Sequence, residues 1–522
     1  VGQQAVLDTS ETYVSSVIPE SRTWNSGTGN WSDVGAWSGK TYTGANENGN
    51  VNFTNSGAST VTLDASQPVG QITFATPANT TIEASSGAVL TANTGITTTA
   101  LATGTYSING AYAFGAYNVF EINAGTVQLN GVVSGNYGMQ KSGAGILELN
   151  NDNTFTGSVG IDGGTLRLNG NNAYTGATTV LFGTLIVGAD AGSSGALGNA
   201  TSTITVGADG DTFAVVGGGP AALLIDGDHT ISRNIALASG TFQKTLGAIN
   251  TTRGAEFSGT INIGASNNVK LNAASASDNV NFSGQIVGGN SALNVAINGL
   301  GAVVYSGVDK TYNSNTTVSS GKLLIESGTA YTGNGNISVT GGTLKVDGQV
   351  AGSGILSLFQ ATLSGSGSIE RDTITNGSVS TISAGSEALT FSNLNAAAGA
   401  RFVLDLTTLS TPLTVSNLLT GSTAAGGLEF TFYNTGEVYA GVEYTLISFN
   451  AASGLSASDF ALMSGPDWVL DTSYGINGWN IENGLVQVKF SAVPEPSTVV
   501  QMVAGALLLV FVQRRFRRAK AA

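Results

Sequence analysis

Residues 153–188 read NTFTGSVGIDGGTLRLNGNNAYTGATTVLFGTLIVG. The triplets FTG at Phe155 and YTG at Tyr174 stand 19 residues apart, and so do GTLRL from Gly164 and GTLIV from Gly183. Working outward, GTVQL opens at Gly125 and GILEL at Gly145, so the four strand-like runs follow one another at 20, 19 and 19 residues. A second array, GAVVY from Gly301, GKLLI from Gly321 and GTLKV from Gly342, repeats at 20 and 21. In each run a glycine precedes apolar residues at the third and fifth positions, the period-two pattern of a strand with one buried face. About twenty residues suffice for three short strands and three turns, one coil of a parallel β-helix. An aromatic at the same place in successive coils should stack on its neighbour, with the following glycine allowing the corner.

Composition agrees. Glycine makes up 73 of 522 residues and charged residues only 10%, while Thr, Ser and Asn fill the polar positions, a mixture that favours short strands and tight turns. An apolar share of 41% leaves enough material for a core. The expected fold is therefore all-β: a right-handed single-stranded parallel β-helix, or β-solenoid, with a C-terminal β module and a short C-terminal transmembrane helix.

Several chemistries are excluded. There is no cysteine, hence no disulfide, thiolate metal site or thiol nucleophile. His229 is the only histidine, which rules out His-cluster metal centres. No cofactor is expected. Residues before 497 carry 33 acids against 14 bases, a net charge of −19, so nucleic acid is not a partner of this body.

Four segments follow from these patterns. Residues 1–44 are an N-terminal segment with a tryptophan-rich cap, Trp24, Trp31 and Trp37 in RTWNSGTGNWSDVGAW. Residues 45–394 are the helix repeats, clearest at 121–190 and 299–370. Residues 395–492 contain longer apolar runs, RFVLDL, GLEFTFY, EYTLISF and GLVQVKF, read as a β module that covers the last coil's edge. Residues 493–522 hold Val493, Pro494, Glu495 and Pro496, then the uncharged run TVVQMVAGALLLVFV, then Arg514, Arg515, Arg517, Arg518 and Lys520. As a helix that run spans about 22 Å, short of the ~30 Å hydrocarbon core and suited to a transient anchor through Val499, Leu507, Leu508, Leu509 and Phe511. The arginines should stay cytoplasmic, placing the body outside.

The order Pro-Glu-Pro, apolar helix, basic tail resembles the PEP-CTERM sorting signal read by exosortases in Gram-negative bacteria that make exopolysaccharide. The resemblance implies an exosortase-type processing enzyme as partner, membrane anchoring before cleavage, and delivery to the cell surface or extracellular matrix. From Val1 onward the sequence shows no charged and apolar leader, so an export signal trimmed from the N-terminus is expected. The repeats in 153–188 resemble the autotransporter-associated β-strand repeat. Classical members end in an outer-membrane barrel, and no matching run of ten-residue amphipathic strands occurs in this sequence.

Site candidates are few. Exposed indoles at Trp24, Trp31 and Trp37 would give stacking platforms for extracellular polysaccharide or cell-surface glycans, although large aromatics also seal a chain end. Asp209, Asp211, Asp226 and Asp228 are calcium candidates in two Asp-Gly-Asp turns; Asp-Gly is more often a turn whose carboxylate bonds its own backbone. No catalytic residues are assigned. The expected function is a non-enzymatic structural or adhesive surface protein. The alternatives are a polysaccharide-active β-helix enzyme, needing clustered carboxylates on neighbouring coils, or a calcium-dependent carbohydrate-binding module.

Overall fold

The computed structural model describes residues 21–39, 49–190, 195–199, 201–208, 219–265, 268–290, 294–376, 379–384, 387–406, 412–421, 427–433, 440–464 and 468–492. Among them the regular structure is β-strand, apart from short 3-10 turns such as Val34–Ala36 and Ala457–Asp459. The chain forms two compact units, residues 1–335 and 336–522, and each is a parallel β-solenoid.

In the first unit the four runs that decided the fold stack in register. Thr126–Leu129 pairs with Ile146–Leu149, this with Thr165 to Leu168, and these with Thr184 to Val187. The inward residues Val127, Leu129, Leu147, Leu149, Leu166, Leu168, Leu185 and Val187 are all buried. The alternate positions carry Thr126, Gln128, Ile146, Glu148, Thr165, Arg167, Thr184 and Ile186, so strand alternation builds one continuous core from the inward set. A second face runs through Asn118–Ile122, Met139–Ser142, Val159 to Ile161 and Thr178 to Val180. The third face is represented by the pairing of Tyr112 with Val133 and by an isolated bridge between Asn153 and Asn172.

Aromatic rings stack at close to the ~4.8 Å spacing of adjacent strands. Phe155 and Tyr174 lie 5.4 Å apart at 9°, Phe53 and Phe74 5.1 Å apart, Phe74 and Tyr106 4.5 Å apart. The glycines after the first pair serve closeness, not φ: a Cβ on Gly157 would fall 2.1 Å from the Gly138 nitrogen, and on Gly176 2.5 Å from that of Ser158. Left-handed backbone is needed one corner later, where Gly164 and Gly183 have φ of 60° and 83°.

Coil length is not constant. Beyond residue 190 partners on one face are Ile204 with Ile235, Ile235 with Ile261 and Ile261 with Ile286, 31, 26 and 25 residues apart. Another ladder here joins Ala255–Phe257, Asn279–Phe282, Ala302–Tyr305 and Lys322–Ile325 in order. It contains the second array's first two runs.

Polar side chains tie coil to coil. Asn153 accepts from Val133 N (2.8 Å), Asp152 from Asn171 N (2.7 Å), Asn234 from Thr260 N (2.9 Å) and Asp278 from Thr251 N (2.9 Å). These contacts satisfy loop amides that the ladders leave over. A further row is amide to amide. Asn130 donates to Asn109, Asn150 to Asn130 and Asn169 to Asn150 at 2.6–2.7 Å, and Asn109 donates to Glu83 at 2.6 Å. Lys141 occupies an inward place between Phe120 and Ile161, and its ammonium donates to the carbonyls of Ser142, Gly143 and Gly163 at 2.7, 2.9 and 3.2 Å.

In the second unit Thr343–Val346, Thr362–Gly365, Ser380–Ala384, Ala400–Asp405, Leu428–Tyr433 and Phe460–Ser464 form one parallel ladder. Leu389–Ala396, Leu413–Thr420 and Glu443–Ser453 continue another, so parallel stacking runs through residue 395. Among the described strands of this unit, antiparallel pairing enters with Leu485–Ala492, which pairs with Glu443 to Ser448, Trp468–Leu470 and Trp479–Glu482. This strand closes a parallel edge that would otherwise present unpaired backbone groups.

Candidate functional site

The three N-terminal tryptophans converge. Ser21–Trp24 pairs antiparallel with Trp37–Gly39 and parallel with Asn50–Phe53, which sets Trp24 against Trp37 and both above the first coil. The Trp24 and Trp37 ring centres are 4.9 Å apart and those of Trp31 and Trp37 5.0 Å, both edge to face. Phe53, the start of the aromatic column, lies 6.1 Å from Trp37. The Trp37 indole N–H donates to Trp31 O at 2.8 Å, and the Arg22 guanidinium lies 4.1 Å over the Trp37 ring. Trp24 and Trp31 are fully buried and Trp37 is half-buried. The faces of Trp24 and Trp31 are thus used in packing, which seals the column by area burial and edge-to-face contact.

The Asp-Gly corner brings together Asp226, Asp228 and His229, with Asp190 from the preceding coil. Asp226 forms an ion pair with Arg167 and accepts from Asn250 Nδ2 at 2.8 Å; Arg167 also reaches Glu148 at 3.6 Å. Asp228 accepts from the Thr252 hydroxyl and from the backbone N–H groups of Thr252, Arg253 and Gly254 at 2.8, 2.9 and 3.0 Å. The Thr252 hydroxyl, then these amides, hold its carboxyl well below the usual carboxylate range. The turn itself is present, with Gly227 at φ 93°. The acceptor role differs from the sequence expectation: Asp228 fastens the loop of the next coil and not its own. His229 Nδ1 is 3.3 Å from Asp190 Oδ1, which also accepts from Thr230 N at 3.1 Å. Asp209 and Asp211 lie outside the described residues. Among the described residues no group of three or more His, Asp or Glu side chains is placed to hold a metal ion. What this corner does chemically is bind loop amides to carboxylates.

An open recess in the second unit is lined by Leu455, Ser456, Ala457, Ile476, Trp479 and Asn480 among others, and its lining has no acid, base or nucleophile beyond the Ser456 hydroxyl, which Ser458 N occupies at 3.3 Å. The sorting motif Val493, Pro494, Glu495 and Pro496, the apolar run through Phe511 and the arginines Arg514, Arg515, Arg517 and Arg518 lie outside the described residues. No helix among the described residues is long and apolar enough to cross a membrane.

Two features escaped the sequence reading. Asn109, Asn130, Asn150 and Asn169 recur at 21, 20 and 19 residues, a signal carried by the same period as the strands. Lys141 stands two residues after Met139 in an inward phase, where a lysine is easily taken for a solvated residue.

With the geometry established, residues 139–168 and 161–187 match the family model described as passenger-associated-transport-repeat. These are the coils whose strands stack in register around Phe155 and Tyr174. No curated protein matches the chain.

Proposed function

We propose that this chain is an exported, non-enzymatic structural or adhesive surface protein, wound right-handed as twisted strands favour in parallel crossovers. The observation that carries the reading is the coincidence of transport-associated passenger repeats with solenoid coils whose polar side chains are spent on holding neighbouring coils together. Asp226 and Asp228, the described carboxylates best placed for chemistry, are each engaged by at least two donors. Such a body offers an extended weakly charged exterior rather than a reaction centre.

On this reading Val493, Pro494, Glu495 and Pro496 are read by an exosortase-type enzyme, and the apolar run with its arginines holds the protein at the inner membrane until it is cut. The product then goes to the cell surface or the extracellular matrix, where glycans are the natural contacts.

The test is intact mass of the mature protein from its native cells, beside a variant with Pro494, Glu495 and Pro496 all replaced by alanine. Loss of the tail near residue 496 in the wild type, with retention in the variant, is the expected result. Retention of residues 497–522 in both would refute the sorting step.

A further inference from the structure

Asn483 and Gly484 form the two-residue turn between Trp479–Glu482 and Leu485–Ala492, with Glu482 opposite Leu485 and φ of 52° and 76°. This is the turn in which both central residues take positive φ and Asn-Gly is favoured. The Asn483 side chain is exposed. Neither it nor the Gly484 N–H takes part in the hydrogen bonds among the described residues. An unrestrained side-chain amide therefore sits beside an unengaged glycine nitrogen that has no side chain to shield it.

Four other Asn-Gly pairs among the described residues, at Asn109, Asn130, Asn169 and Asn477, are restrained. Asn109 and Asn130, before Gly110 and Gly131, each donate from Nδ2 and accept at Oδ1 within the amide row. Asn169, before Gly170, is held at Nδ2 alone. At Asn477 the following N–H, that of Gly478, donates to Tyr474 O at 3.0 Å.

We propose that Asn483 is a site of spontaneous deamidation in the folded protein, and that the amide row protects Asn109 and Asn130. The Gly484 nitrogen attacks Cγ of Asn483, forming a C–N bond; the bond from Cγ to the side-chain nitrogen breaks, and ammonia leaves with the proton lost by Gly484. Water then opens the cyclic imide at either carbonyl, giving aspartate or isoaspartate, with no change of oxidation state. Either product adds a negative charge beside Glu482. Isoaspartate also lengthens the backbone by one methylene, which a two-residue turn cannot absorb without loss of register. The strand affected is Leu485–Ala492, which closes the second unit, and Phe449 N donates to Gly484 O at 2.7 Å.

The experiment is peptide mapping by mass spectrometry after the full chain is incubated at mildly alkaline pH, folded and in denaturant. In the folded protein Asn483 should convert about tenfold or more faster than Asn109 and Asn130, because two hydrogen bonds must break at each of those amides. Asn169 and Asn477 should fall between. In denaturant all should converge. Equal folded rates at Asn483 and Asn109, or conversion first within the row, would overturn the proposal. Asn130→Ala removes the donor to Asn109 Oδ1 and should speed Asn109 while leaving Asn483 unchanged; an unchanged Asn109 would show that the row gives no protection.

Discussion

Replacing Thr178 by valine should destabilise its coil far more than the lost contacts of one hydroxyl suggest, and Tyr174→Phe should partly rescue it. Val159 and Thr178 pair in register, and the rings of Phe155 and Tyr174 stack. The upper coil thus repeats the lower one with two hydroxyls added. Those hydroxyls meet at 2.9 Å, Tyr174 with Thr178 Oγ1, and Arg233 donates to the same oxygen at 3.2 Å. Tyr174 and Thr178 are fully buried. Thr178→Val strands the tyrosine hydroxyl and one Arg233 N–H at about 1–3 kcal/mol each, so about 2–6 kcal/mol in all. Tyr174→Phe alone leaves Thr178 with Arg233 and costs about 0.5–1.5 kcal/mol. The double variant strands only the Arg233 N–H, at about 1–3 kcal/mol, so its cost falls short of the summed singles by about 3 kcal/mol. Because long repeat arrays need not unfold in one step, the cycle is best read from hydrogen exchange of amides in Thr178–Val187, which reports local opening. Singles that simply add would mean that the hydroxyl pair contributes nothing.

Burial pushes the amines of Lys141 and Lys310 down to about 8, while the unfolded chain keeps those protons to about 10.5. Between these values the unfolded state binds more protons, so stability should rise with pH. Above about 10 the order reverses: burial raises Tyr112, Tyr305 and Tyr312, and Tyr174 to about 12, so the fold keeps protons that the unfolded chain loses. Thermal midpoints should therefore peak between about pH 8 and 10.5, with the rising limb flattened by Lys141→Met; a monotonic fall from pH 8 would refute this. Gly176→Ala places a Cβ 2.5 Å from the Ser158 nitrogen, so a coil must move and about 3 kcal/mol or more should be lost, visible as faster proteolysis between Asn153 and Val187. Wild-type resistance in that variant would show that the coils are less tightly spaced than the structure has them.

How far the sequence could be read depended on the range of the interaction. The hairpin turn at Asn483-Gly484 is legible in principle, since Asn-Gly between WNIE and LVQVKF is a strong local signal, but it is a single pair of residues beside the GLVQVKF run, and the apolar runs alone mark a β module without its turns. The bond from Asp228 to the loop at 252–254 was not legible. Nothing local distinguishes a carboxylate that turns on its own backbone from one that fastens a loop 24 residues away. The tryptophans admit both readings, stacking platform and seal, because composition is silent on which face a ring presents.

The sequence by itself determined the coil. A period of 19 to 21 residues with apolar residues in alternate positions fixes which residues face inward and which neighbours they meet, because stacked strands repeat the same environment at each step. It also placed Tyr174 above Phe155. Only the tertiary structure decided where the polar groups go: Asn to Asn along the exterior, Asp to the amides of the next coil, Lys141 inside the core with its ammonium on three carbonyls. Those pairings join residues that periodicity brings close but does not distinguish, and hydrogen bonds select among them by angle and distance that only the packed coils define.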